Sequence, residues 1–122
     1  MRRKEFDLLI QRALRRIPEP FQEAIRAIPI VVEDWPDPVL MEDVTGDPDE
    51  VLYGLFAGTP LTERRFDDVA PLPPVIYIWQ GPLEEDFPER RELEREVEVT
   101  LAHEIGHYLG FDEETLREYG YE

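Results

Sequence analysis

The apolar residues of the first third of the chain recur at helical spacing and then give way to a β-branched run. Between residues 3 and 17 they predict an amphipathic helix with an inner face of Phe6, Leu9, Ile10, Ala13, Leu14 and Ile17. After the break at "IPEP", Pro20 suits the first turn of a second helix, with an inner face of Phe21, Ala24, Ile25 and Ile28. Residues 28–33 predict the first strand.

The middle of the chain combines an acidic, proline-rich segment with two further apolar runs. Residues 34–50 predict a loop with one short turn of helix. The runs at residues 50–58 and 73–82 predict a second and a third strand. Prolines stand at both ends of the third run, and they favour a sheet edge because proline cannot donate to a strand ladder. We therefore expect Val75–Trp79 to be an edge strand.

The last third of the chain is helical in pattern, from about Glu89 to Gly110 and again at residues 112–119. Helices, then strands, then helices are typical of an α+β fold. With 122 residues and 42% hydrophobic content, the chain suits one compact domain over residues 1–122. No stretch is long and apolar enough to span a bilayer, so we expect no membrane partner.

Both histidines of the chain lie in this long helix, in the sequence "LAHEIGHYLG". His103 and His107 project from one helical face about one turn apart. The opposite face is an apolar stripe of Leu93, Val97, Leu101, Ile105 and Leu109. Two imidazoles at this spacing can ligate one zinc ion, and Glu104 can hold and deprotonate a water beside it. The alternative is a pair of surface or capping histidines near a helix end.

A catalytic zinc site needs a third protein ligand and an open position. Gly110 can end the helix in a left-handed turn that sends the chain back toward the histidines. The motif then reads H-E-x-x-H-x-x-G-x-x-E, which makes Glu113 a candidate third ligand. Asp112, one residue earlier, is the alternative, since only the register of the turn decides between them.

The composition removes several classes of function. The chain has no serine and no cysteine, which excludes mechanisms that use either as the nucleophile. Its formal net charge of −16 opposes binding to nucleic acid and anionic lipid; it either favours cationic ligands such as basic peptides or only keeps the protein soluble. The apolar run at the start is broken by polar residues and makes a poor signal peptide, so we expect a cytoplasmic protein. The absence of asparagine and the 12 prolines are compatible with a thermophilic source.

Three segments together resemble a small bacterial family of zincin-like metallopeptidases: "YGLFAGTPLTER" (Tyr53–Arg64), "PPVIYIWQGPL" (Pro73–Leu83) and "VTLAHEIGHYLGFDEE". The resemblance implies a small twisted sheet over an active-site helix, with His103 and His107 as zinc ligands and Glu104 as general base. It also implies that an edge strand beside the cleft binds extended peptide by backbone pairing. On the edge position expected above, the substrate-binding residues would be Val75, Ile76, Tyr77, Ile78 and Trp79.

Two hypotheses follow, a zinc-dependent hydrolase of peptides or proteins and a non-catalytic zincin-like module that binds them. The second is favoured by the small size and by the absence of a methionine after the motif, where metzincins have a methionine turn. The first is favoured by Glu104, because a site that only holds metal has no use for it. Tyr119 and Tyr121 could donate a phenol to a tetrahedral intermediate or simply cover apolar surface.

Overall fold

Helices and strands alternate in the first two thirds of the chain, and helices alone form the last third. The structure is a computed structural model that describes residues 1–63 and 72–122; Arg64, at the end of the Tyr53–Arg64 segment, therefore lies outside the described residues. The elements are α1 (Arg3–Arg16), α2 (Phe21–Ile25), β1 (Ile30–Glu33), α3 (Pro38–Thr45), β2 (Gly54–Ala57), a 3-10 turn (Leu61–Glu63), β3 (Val75–Trp79), α4 (Gln80–Asp86), α5 (Arg90–Leu109) and α6 (Glu113–Tyr119). The predicted α+β fold is confirmed. Within the described ranges, no helix is both long and apolar enough to cross a membrane.

The sheet has the strand order β1-β3-β2, which makes β3 the central strand. β3 pairs parallel with β1, with Ile30 opposite Ile76, and antiparallel with β2, with Gly54 opposite Ile78. The edge position predicted for Val75–Trp79 is therefore wrong. The prolines flank this strand without entering it, so they remove no hydrogen bond from either ladder.

Two helices were not predicted, and both have a proline in the first turn. The segment at 34–50, expected to be a loop with one helical turn, contains the eight-residue helix α3. Asp37 caps α3 by accepting the N–H of Val39, Pro38 stands at its start, and Gly46 ends it at φ 82°. Helix α4 follows β3 directly, and Pro82 is tolerated there because an N–H in the first turn of a helix has no intrahelical acceptor to lose.

Helix α5 is the central element of the core. It contacts α1, α2, α4 and the two strands β2 and β3. Its predicted apolar stripe is buried at Leu93, Val97, Leu101 and Ile105, and Leu109 packs half-buried against the same core. Opposite it, α1 buries Phe6, Leu9, Ile10 and Ala13, as its helical spacing predicted.

The two tryptophans differ in their environment. Trp79 is fully buried, and its indole N–H donates to Glu33 at 3.1 Å. Trp35 remains 52% exposed and lies flat against Gly81, where a Cβ would come within 2.4 Å of the indole. Trp79 is thus part of the core, whereas Trp35 covers the first turn of α4.

The N-terminal helix also covers one edge of the sheet. Arg3 donates to the backbone carbonyl of Val32 in β1 at 3.0 Å and to the side chain of Gln80 at 2.8 Å. These bonds satisfy an edge carbonyl of β1 that a further strand would need. Among the described strands, the outer edge of β2 is the one that faces the end of α5 bearing the histidines.

Truncating the buried side of α5 tests the importance of this packing. Leu101→Ala removes a fully buried side chain, and we expect it to lower the free energy of unfolding by about 2–5 kcal/mol. Leu8→Ala is the matched control, because Leu8 is 54% exposed on α1 and should change stability by less than about 0.5 kcal/mol. Urea unfolding followed by tryptophan fluorescence measures both, and equal losses would contradict the assignment of the core.

Candidate active site

The two histidines lie on the last two turns of α5. Glu89 caps the start of α5, because its carboxylate accepts the N–H groups of Arg91 and Glu92. The apolar back of α5 is buried, so its opposite face carries His103 and His107 to a partly exposed surface. Their ring centroids are 4.6 Å apart, as expected for residues separated by one helical turn.

A left-handed glycine ends α5 and turns the chain back along it. Gly110 has φ 82°, and the N–H of Phe111 donates to the carbonyl of Gly106 at 2.9 Å. This is the turn that the sequence predicted. A side chain at Gly110 would also meet Thr62 at 2.4 Å, so the position is restricted by both backbone conformation and space.

The turn places Glu113, and not Asp112, next to the histidines. The Oε1 atom of Glu113 is 3.7 Å from Nε2 of His103 and 3.7 Å from Nε2 of His107. Asp112 instead caps α6, because its Oδ1 accepts the N–H of Thr115 at 2.8 Å. That hydrogen bond lowers the pKa of Asp112 below its ordinary value. Of the two candidate third ligands, Glu113 therefore has the suitable position.

Glu104 lies between the histidine face and the sheet. It is only 8% exposed, and its Oε1 accepts the backbone N–H of Phe56 in β2 at 2.8 Å. The same oxygen is 3.3 Å from Nδ1 of His107. This contact with Glu104 is the main reason that the pKa of His107 is raised, against the opposing effect of burial. Gly54 permits the close approach of β2, since a Cβ there would be 2.7 Å from Thr100.

A backbone carbonyl fixes the other side of the site. Nδ1 of His103 is 2.7 Å from the carbonyl oxygen of Tyr121, just beyond α6. Of Tyr119 and Tyr121, neither has its hydroxyl hydrogen-bonded to His103, Glu104 or His107 within the described residues. That of Tyr121 is buried and donates to Glu98, while the ring of Tyr119 stacks on Phe111.

The donor set of this site suits zinc. One ligand atom each from His103, Glu104 and His107 lie within 4.8 Å of one another. Tetrahedral zinc with bonds of about 2.0–2.1 Å needs ligand atoms roughly 3.3 Å apart. The 3.7 Å distances from Glu113 to both Nε2 atoms are close to that spacing. Two imidazoles and one carboxylate, with Glu104 beside them, thus fit a catalytic zinc ion that retains an open position.

A cavity of about 280 Å³ opens beside His103, between β2 and α5. Its walls are mostly apolar, with carboxylates among them, and are formed by Leu52, Tyr53, Gly54, Glu96, Val99, Thr100, His103, Glu104 and Glu122. The hydroxyl of Tyr53 donates to Asp86, and this bond is the main cause that raises the pKa of Tyr53 to about 12. The carboxylates that line the cavity itself belong to Glu96, Glu104 and Glu122.

The strand predicted to bind substrate does not present a free edge here. Val75, Ile76, Tyr77, Ile78 and Trp79 have neighbouring strands on both sides, so their backbone cannot pair with a peptide. The adjoining edge belongs to β2. Two contacts of the site come from backbone groups, the N–H of Phe56 and the carbonyl of Tyr121. No residue type encodes such a group, so the sequence carried no signal for them.

The comparisons with known proteins agree with this geometry. A sequence profile described as zincin-like metallopeptidase matches residues 25–121. The chain therefore belongs to the zincin-like metallopeptidase family, as its resemblance predicted. Metallopeptidases of the zincin family use zinc. A search of the curated proteins found no match.

Separate substitutions of the two acidic residues test which of them is the third ligand. Glu113→Ala should weaken zinc binding by more than about 100-fold, because loss of an outer-shell partner alone costs 10–100-fold. Asp112→Ala should leave the affinity within about fivefold and lower stability slightly through loss of the helix cap. Competition with a chromogenic chelator on untagged protein measures the affinities. If Asp112→Ala lost more zinc affinity than Glu113→Ala, Asp112 and not Glu113 would be the third ligand.

Proposed function

We propose that this protein hydrolyses peptide bonds in a zinc-dependent reaction. His103, His107 and Glu113 would hold the metal. The observation that carries the proposal is Glu104, a carboxylate that is 8% exposed and lies beside the metal-binding face without being needed to hold a metal. With His103, His107 and Glu113 as the three ligands, a module that only holds the metal would not need Glu104 as a further ligand.

The zinc ion, when bound, supplies Lewis-acid chemistry that polarises the scissile carbonyl and lowers the pKa of a water. Glu104 then acts as general base, taking the proton of that water and returning it to the leaving amine. Its Oε1 is engaged by the N–H of Phe56 and by His107. Oε2 is therefore the oxygen that accepts the proton, while the bond from Phe56 keeps the carboxylate in place.

An extended substrate would pair with the outer edge of strand β2. The backbone carbonyl of Tyr53 accepts the N–H of Trp79 in β3. In an antiparallel pair the backbone groups of alternate residues point to the neighbouring strand, so those of Leu55 also point to β3 and those of Gly54 point to the outer edge. Phe56 follows this alternation, since its N–H donates outward to Glu104. Gly54 thus presents its N–H and carbonyl beside the cavity, which supports addition of a peptide strand there.

The carboxylates of the cavity favour a substrate with a basic side chain. Glu96 and Glu122 belong to its lining, and the apolar walls at Leu52 and Val99 suit an aliphatic stem. Lysine and arginine combine such a stem with a positively charged end. The formal net charge of −16 would also concentrate cationic peptides near the protein.

Replacing the general base tests the reaction. Glu104→Gln should lower kcat for cleavage of a peptide library by about 10²–10⁴-fold while the protein still binds zinc. Glu114→Gln is the matched control, because Glu114 lies exposed on α6 and should leave both properties unchanged. Mass spectrometry of the products and elemental analysis of untagged protein measure the two. Undiminished cleavage by Glu104→Gln would contradict the role of Glu104 as general base.

Replacing one carboxylate of the cavity tests the substrate class. Glu96→Gln should reduce kcat/KM for peptides with arginine or lysine next to the scissile bond by about 10-fold, since a charge-assisted hydrogen bond contributes about 1.5–3 kcal/mol. Peptides with leucine at that position should be cleaved as before. Equal effects on both peptide sets would argue against recognition of a basic side chain in this cavity.

A further inference from the structure

Only one ring nitrogen of His103 faces the other proposed ligands. Its Nε2 lies 3.7 Å from Glu113, whereas its Nδ1 lies 2.7 Å from the carbonyl oxygen of Tyr121. A carbonyl oxygen can only accept a hydrogen bond, so Nδ1 must carry the proton. In the neutral ring this leaves the lone pair on Nε2, the tautomer in which His103 can ligate a metal through that atom.

The carbonyl of Tyr121 is placed by the turn that ends α6. Gly120 adopts φ 83°, and the N–H of Tyr121 donates to the carbonyl of Leu116 at 2.9 Å. Leu116 is fully buried and packs so closely on Gly106 of α5 that a Cβ there would be 2.3 Å away. The backbone just before Tyr121 is therefore held against α5, the helix that carries His103.

The side chain of Tyr121 is held at two further places. Its ring is 4% exposed and packs edge-on against Phe21 of α2, with 5.5 Å between the ring centroids. Its hydroxyl donates to Oε2 of Glu98 at 3.0 Å. Glu98 lies on α5 itself, five residues before His103, so the hydroxyl and the carbonyl of Tyr121 both contact the same helix.

Glu98 is a fixed acceptor for that hydroxyl. It is only 5% exposed and accepts Nε of Arg16 at 3.0 Å and Nη1 of Arg95 at 2.8 Å. Arg16 belongs to α1, so the carboxylate is held by donors from two helices as well as by Tyr121. A buried carboxylate with charged donors is costly to displace, because an unpaired charge would remain.

From these contacts we propose that Tyr121 is a positioning residue for His103, and that Glu98 holds Tyr121 in place. The carbonyl of Tyr121 selects the Nδ1–H tautomer and the ring orientation, and the hydroxyl bond to Glu98 keeps the carbonyl there. The part played by His103 as a zinc ligand rests on the proposed function. The tautomer itself is a property of the protein without metal and can be measured separately.

The first test is the tautomer of His103 in untagged, metal-free protein. The chain has 2 histidines, so a long-range ¹⁵N–¹H spectrum contains only two imidazole spin systems, and His107→Gln assigns both. At a pH where the rings are neutral, His103 should show the Nδ1–H form with a slowly exchanging proton. The Nε2–H form, or an even mixture of the two, would overturn the proposal.

The second test separates the hydroxyl of Tyr121 from its ring. Tyr121→Phe keeps the packing on Phe21 but loses the bond to Glu98, and zinc affinity should fall about 10-fold, as for other outer-shell partners. The His103 proton should also exchange faster. Tyr119→Phe is the matched control, since the Tyr119 hydroxyl has no hydrogen-bond partner within residues 1–63 and 72–122. Wild-type affinity and wild-type exchange in Tyr121→Phe would show that Glu98 does not hold the contact.

The two proposals fail in different ways. Zinc binding and hydrolysis can be absent while His103 still shows the Nδ1–H form and Tyr121→Phe still speeds its exchange. That result would overturn the proposed hydrolase and support the contact described here. Zinc-dependent cleavage by a protein whose His103 shows the Nε2–H form would do the reverse. The tautomer of the wild-type protein decides the matter even if Tyr121→Phe does not fold.

Discussion

Burial of the apolar side of α5 is the constraint on which the rest of the structure depends. Leu93, Val97, Leu101 and Ile105 are almost completely removed from water, and their burial contributes to the stability of the core that α1, α2 and the sheet share with α5. A helix is a rigid cylinder, so fixing one side also fixes the direction of the other. The same packing that stabilises the fold therefore holds the histidine face toward β2 and α6.

Close approach of backbone segments completes the site around that face. Three glycines leave too little room for a Cβ: Gly54 brings β2 against Thr100, Gly106 admits Leu116, and Gly110 lies against Thr62. Only Gly110 also needs glycine for its left-handed conformation. Through these contacts, a strand edge and a second helix reach α5 at the level of the histidines.

Two buried carboxylates of α5 differ in the partners that stabilise their charge. Glu98 is held by the guanidinium groups of Arg16 and Arg95, which makes it part of the connection between α1 and α5. Glu104 has the backbone N–H of Phe56 and the ring of His107. Within the described ranges, no guanidinium contacts Glu104, in contrast to Glu98.

The sequence by itself determined the long helices, the buried side of α5, the left-handed turn at Gly110 and the shared face of the two histidines. These are local properties, set by helical periodicity and by the conformation that one glycine permits. The tertiary structure alone decided that Val75–Trp79 is central, that Glu113 lies beside the histidines, and that backbone groups hold Glu104 and His103. Strand order depends on pairing between distant segments, and every residue carries the same N–H and carbonyl groups, so side-chain pattern cannot reveal either.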